Sequence, residues 1–277
     1  MKQIIFNEKT DYTSSIFAEK LKTAVSGDVD SMNFIFVNTP CVDILQLINN
    51  SLKKYEAPPQ VMLTFAGENA LGTADFSALH SVTYLNIQNR YISSLDGVQL
   101  FPNLHRVSIT YVLEKELDFS PLTQCKELKS LDTERRLTKK QHGAISQMPK
   151  LEKLKAHGLD ISRLDIMPAL SSLEVHGLLN PIGMSEKLPR LKDLFILSSN
   201  GLKDLNFLFD MTKLEKLRIV KMSAIKEFPN FKENNSLTDV YLRDMKNLCE
   251  IDNLKTLPRL KNLRIEGKTS LEELKLN

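Results

Sequence analysis

The side chains to test first for acid–base or metal chemistry are the five histidines, His80, His105, His142, His157 and His176. Two of them share a context, Ala156-His157-Gly158 and Val175-His176-Gly177. A zinc site takes three or four donors, so this pair would need one or two further ligands, and Glu174 is the nearest candidate. Contact with solvent or a partner is the simpler role for both rings. The cysteines, Cys41, Cys125 and Cys249, are scattered and form no C-x-x-C pair, which makes them buried thiols of a reducing compartment rather than zinc or redox ligands. No glycine-rich phosphate loop, H-E-x-x-H or G-x-S-x-G occurs. We therefore expect no catalytic residue, no resident metal and no cofactor. The basic run Arg135, Arg136, Lys139 and Lys140 lacks interleaved aromatics for base stacking and is read as a solvated outer loop.

What would position the two histidines is a periodic apolar pattern. Val82, Leu85 and Ile87 open an L-x-x-L-x-L series that restarts at Leu104/Val107/Ile109. It recurs at Leu128/Leu131, Leu151/Leu154/Ala156, Leu170/Leu173/Val175, Leu191/Leu194/Ile196, Leu214/Leu217/Ile219, Leu237/Val240/Leu242 and Leu260/Leu263/Ile265. Measured at the second apolar residue, the steps are 22, 24, 23, 19, 21, 23, 23 and 23 residues. The short i, i+3, i+5 opening has strand spacing rather than the 3.6-residue period of a helix. Alternation puts both residues of each Leu-x-Leu on one side of a short strand, and a lone strand has nothing to bury them against. Stacking consecutive strands solves that. Leu95, Phe101, Leu205, Leu208, Phe228, Ile251 and Leu254 then close the core from the other side.

On these residues, from about Gln60 to the C-terminus, the chain resembles the leucine-rich-repeat family, in the stand-alone, intracellular form found in bacteria. The resemblance implies an α/β solenoid: a horseshoe with a parallel β-sheet on its concave side and a helical or irregular convex side. The pattern is similar partly to the 22-residue repeats of phosphatase-regulatory proteins and partly to the 23-residue repeats of immune receptors. It departs from the family at the turn asparagine, a place held here by Arg90, Val112, Arg136, Leu159, Met222 and Met245, with Asn200 alone coming close.

Residues 1–58 are less regular. Ile4/Phe6, Phe34/Phe36 and Leu63/Phe65 repeat at steps of 30 and 29 residues, and the intervening segments 14–25 and 42–55 carry amphipathic helical spacing. We read 1–58 as strand–helix units capping the solenoid and 59–277 as the repeats. The alternative is a small α/β domain joined through Ala57-Pro58-Pro59. A further opening follows at Leu271, Leu274 and Leu276.

Side chains flanking the strand leucines would point to the concave face. Between the second and third apolar residues stand Phe195, Arg218, Tyr241 and Arg264, and just after the third stand His157, His176, Leu197, Val220, Arg243 and Glu266. Aromatic, arginine and aliphatic side chains together are the types that dominate interface energetics. With Glu174, they form the expected partner-binding set. Lys and Arg total 37 against 34 Asp and Glu, and +3 on 277 residues supplies no strong field for nucleic acid or an anionic membrane. The N-terminus breaks into charge by Glu8 and no run of 18 apolar residues follows, so a cytoplasmic chain is expected, with the sequons at Asn49 and Asn234 incidental. The expected partner is another protein. One version is an immunity or inhibitor protein that occludes a toxin or enzyme; the other is a sensor or adaptor in a defence or signalling pathway.

Overall fold

The computed structural model describes residues 2–6, 14–24, 31–37, 40–53, 60–65, 76–77, 79–232 and 235–271. The 57–59 linker, Asn234, Leu274 and Leu276 lie outside them. The chain divides into two compact units, Met1–Lys150 and Leu151–Asn277.

In the first unit six strands run parallel and pair in chain order: β1 (Lys2–Phe6), β2 (Ser31–Phe36), β3 (Gln60–Phe65), β4 (Val82–Gln88), β5 (Arg106–Thr110) and β6 (Ser130–Arg136). The register aligns Phe34, Leu63, Leu85, Val107 and Leu131, all of them buried. The long early steps are filled by α1 (Ser14–Ala24) and α2 (Val42–Leu52), which pack on each other and bury Phe17, Leu21, Ile44, Leu45, Ile48 and Leu52. Through the core runs a phenylalanine spine. Phe36 meets Phe65 at 5.6 Å between ring centroids, Phe65 meets Phe76 at 5.7 Å, and Phe76 stacks on Phe101 at 4.6 Å.

The middle of the β2–β5 face opposite that core is buried as well, between half-buried Ile35 and Tyr84 and exposed Gln88 and Arg106. Asn33, Met62, Thr64, Asn86 and Ser108 all lie out of solvent. Thr64 Oγ1 donates to Asn33 Oδ1 at 2.8 Å and accepts from Asn86 Nδ2 at 3.5 Å, so the seam satisfies part of its own hydrogen bonding.

The basic run is not an outer loop. Arg135 and Arg136 end β6, and Lys139 and Lys140 open a helix, α4 (Lys139–Ser146), which follows the shorter α3 (Ser120–Thr123). The helix starts there because Thr138 and Gln141 form a reciprocal capping box, and Gln141 Nε2 also donates to the Leu117 carbonyl at 2.9 Å. Arg135 is held by the Val112 carbonyl at 2.8 Å, and Lys140 pairs with Asp118 at 2.9 Å.

The second unit repeats one motif six times: β7 (Lys153–His157), β8 (Ser172–His176), β9 (Asp193–Leu197), β10 (Lys216–Val220), β11 (Asp239–Arg243) and β12 (Asn262–Glu266), parallel and in chain order. Leu154, Leu173, Leu194, Leu217, Val240 and Leu263 align across the strands, as do Ala156, Val175, Ile196, Ile219, Leu242 and Ile265. Returning segments carry single turns of helix, among them α5 (Met184–Lys187) and α6 (Asp252–Lys255), and bury Leu205, Leu208, Phe228, Ile251 and Leu254.

Each of these strands ends in the same bend. Two residues past the third apolar position the backbone is left-handed, at Gly158, Gly177, Ser198, Lys221, Asp244 and Gly267. From Gly158 to Asp244, the N–H of each such residue donates to the last carbonyl of the next strand, at 2.7–3.0 Å. This ladder performs part of the work of the missing asparagines. The rest falls to Ser199 rather than Asn200: Ser199 is buried and its Oγ accepts from Leu178 N at 2.7 Å, whereas Asn200 is exposed. Leu159 and Met245 take the corresponding places as apolar filling, and the buried Met222 accepts from Ser199 N through its Sδ at 3.2 Å.

Candidate binding face

Strand alternation leaves three side chains per strand of the second unit on the face away from the core. The middle row reads Lys155, Glu174, Phe195, Arg218, Tyr241 and Arg264 in register, and the last row His157, His176, Leu197, Val220, Arg243 and Glu266. All the residues expected to contact a partner therefore lie in two adjacent rows on one sheet face.

Their neighbours hold them in place. The His157 and His176 rings stack at 4.2 Å between centroids. Lys155 Nζ lies 3.1 Å from Glu174 Oε1, and His176 Nε2 lies 3.9 Å from the same oxygen. The Arg218 guanidinium sits 4.9 Å over the Phe195 ring while pairing with Asp193 at 3.2 Å. Farther along, Tyr241 donates its hydroxyl proton to Glu266 at 2.7 Å, and Arg264 both pairs with Glu266 and lies 5.9 Å from the Tyr241 ring centre. Arg243 reaches Asp244 at 3.6 Å. The hydrogen bond from Tyr241 holds the Glu266 carboxyl below the usual carboxylate range, assisted by Arg264. Asp239 is lowered in the same sense by hydrogen bonds from Thr238 and Asn262.

One expected contact residue is displaced from that role. Val220 is only 8 % exposed, flanked in register by Leu197 and Arg243, so it offers a partner little surface. The face also includes Lys155, Asp193 and Asp239, which the search for aromatic and arginine side chains passed over. The alternation that selects Phe195 selects Lys155 in the same row. Among the described residues, no group of three or more histidine, cysteine, aspartate or glutamate side chains is placed to hold a metal ion, and Glu174 adds one distant carboxylate to the histidine pair. Cys125 is buried, which pushes its thiol up to about 12, while Cys41 and Cys249 are exposed, against the expectation of burial for all three.

No family model and no curated protein matches the chain. Among solved structures, the TLR13–ssRNA13 complex matches with 13% identity and a TM-score of 0.49, over 98% of this chain and 36% of that one. This chain thus spans about a third of the length of that protein. A leucine-rich-repeat protein of Leptospira interrogans matches with 16% identity and a TM-score of 0.39, over 91% of this chain and 88% of that one. The observation that decides the architecture is internal: strands one repeat apart pair in parallel with each L-x-x-L-x-L opening in register. The fold is the leucine-rich-repeat fold. In such repeats the strand leucines serve the core and the intervening residues are free to vary, which is how one unit can present lysine, glutamate, phenylalanine, arginine, tyrosine and arginine in a row. No helix among the described residues is long and apolar enough to cross a membrane.

Proposed function

We propose that the chain is a non-catalytic interaction module that binds another protein on the open sheet face of its second unit. The observation that carries this reading is the in-register platform of Phe195, Leu197, Arg218, Tyr241, Arg243 and Arg264, interleaved with carboxylates and fixed by mutual contacts. Tyrosine, phenylalanine and arginine supply most interface energy, and side chains already held in place lose little conformational entropy on docking. Carboxylates stand beside the cations of this face, Glu174 at Lys155, Asp193 at Arg218 and Glu266 at Arg264, which favours a mixed-charge protein surface over a uniformly anionic polymer. His157, His176 and Glu174 extend the platform at its other end. A cytoplasmic location fits the reducing state implied by three unpaired cysteines. Within this reading, occlusion of a toxin or enzyme is the leading role and recognition in a defence or signalling pathway the other.

The test is affinity capture with the wild type and with Phe195→Ala/Tyr241→Ala. The double substitution should abolish capture of the specific partner while changing unfolding stability by no more than about 2 kcal/mol, because each of the two exposed cation–π contacts it removes contributes roughly 0.5–1 kcal/mol. Full retention of the partner would assign binding to another surface.

A further inference from the structure

A second surface of the same unit has a different chemistry. The segment after β8 (residues 181–186) and the segment after β9 (residues 201–210) enclose a groove of about 820 Å³. Its apolar lining includes Ile182, Met184 and Phe207, and Ile182 is 87 % exposed. A large aliphatic side chain in that position costs free energy in water unless something covers it.

The exposure is built in rather than incidental. Left-handed backbone at Asn180 (φ 45) and Gly183 (φ 74) brackets Pro181 and Ile182, and Met184 N donates to the Pro181 carbonyl at 3.1 Å to close the turn. Asn180 Nδ2 ties the turn to Asp160 Oδ1 at 3.0 Å. Ile182 is thus presented on a fixed support.

The groove also carries an excess of carboxylates over cations. Glu186, Asp204 and Asp210 line it, against Lys203 as the cation among the described lining residues. Of the nearby lysines, one turns away from the groove and one neutralises Asp210, so the carboxylates offered to a partner are Glu186 and Asp204. Lys187 turns its ammonium inward, donating to the carbonyls of Ile161, Ser162 and Leu164 at 2.7–2.9 Å, and Lys232 is spent on Asp210 at 2.5 Å, over the Phe209 ring.

We propose that this groove binds a basic peptide segment, one aliphatic side chain seated on Ile182 and Phe207 and flanking lysines or arginines paired with Glu186 and Asp204. It is a binding site separate from the sheet face, for a partner segment of defined charge.

The experiment titrates the full chain into a fluorescein-labelled peptide, Gly-Ser-Lys-Arg-Leu-Lys-Arg-Ser-Gly, read by fluorescence anisotropy. Saturable binding that weakens with added salt is expected. Replacing the peptide leucine by alanine, or making Ile182→Ser or Glu186→Gln/Asp204→Asn in the protein, should each weaken it by about tenfold or more, with melting temperatures unchanged. Phe195→Ala/Tyr241→Ala should bind the peptide as the wild type does, which separates this site from the sheet-face reading. No saturable binding up to about 1 mM, equal affinity for a peptide with glutamates in place of its basic residues, or insensitivity to Ile182→Ser would each overturn the proposal. So would self-association in sedimentation that Ile182→Ser abolishes, since the groove would then belong to a second copy of the chain.

Discussion

The two units use the same strand pairing and treat their second sheet face in opposite ways. In the first, the side of β2–β5 away from the core carries along its middle a buried seam of small amides and hydroxyls, Asn33–Thr64–Asn86, backed by the phenylalanine spine. In the second, the equivalent side is an open platform of charged and aromatic side chains over an aliphatic core. The apolar period therefore dictates only one face of a parallel sheet. What stands at the alternate positions decides whether the other face stabilises the unit or remains available to a partner.

The largest effects should come from the cores, where the two units differ in side-chain volume. Phe76→Ala removes a fully buried ring that touches Phe65 and Phe101, and should cost about 3–5 kcal/mol in equilibrium denaturation. Leu194→Ala, in the aliphatic stack, should cost about 2–5 kcal/mol. Hydrogen exchange should show each loss centred in its own unit. A Phe76→Ala cost below 1 kcal/mol would mean that the spine is not a structural element.

A middle-sized contrast tests the second faces directly. Thr64→Val keeps the shape but strips Asn33 Oδ1 of its donor and Asn86 Nδ2 of its acceptor, at about 1–3 kcal/mol because both groups are buried. Lys155→Ala breaks the half-exposed pair with Glu174 and should cost less than about 1 kcal/mol. Equal costs in the two measurements would erase the distinction between a seam and a platform.

Much of this architecture was legible in the residues. The L-x-x-L-x-L openings located the strands, and the longer early steps left room for helices, where α1 and α2 lie within the expected 14–25 and 42–55 segments. The two outward-facing rows followed from alternation alone, and so did the approach of His157 to His176. Other features were set by tertiary context. Helix α4 was missed although Thr138-x-x-Gln141 carries its start signal, because the adjacent run of basic residues read as loop. The left-handed bends at Ser198, Lys221 and Asp244 carry no glycine to announce them; the interstrand hydrogen bonds enforce them. The exposure of Ile182 could not be inferred from a residue type that normally belongs inside.

A comparably small effect concerns the clasp beneath that isoleucine. Burial raises the Asp160 carboxyl, but hydrogen bonds from Ser162 and Asn180, with Arg163 beside it, outweigh burial and hold it below its ordinary value of 3.8. A carboxyl lowered in the folded state contributes stability that is present above the unfolded value and is lost as pH falls through the folded one. Asp160→Asn should therefore lower the melting temperature by about 2–4 °C at pH 7, as expected of a loss near 1 kcal/mol. The gap from the wild type should close as pH drops below 3.8. A gap that stays constant with pH would mean that the ionised carboxylate is not what secures Asn180. The turn that presents Ile182 would then be held by its backbone alone, and the groove would owe its shape to Gly183 and Pro181 rather than to charge.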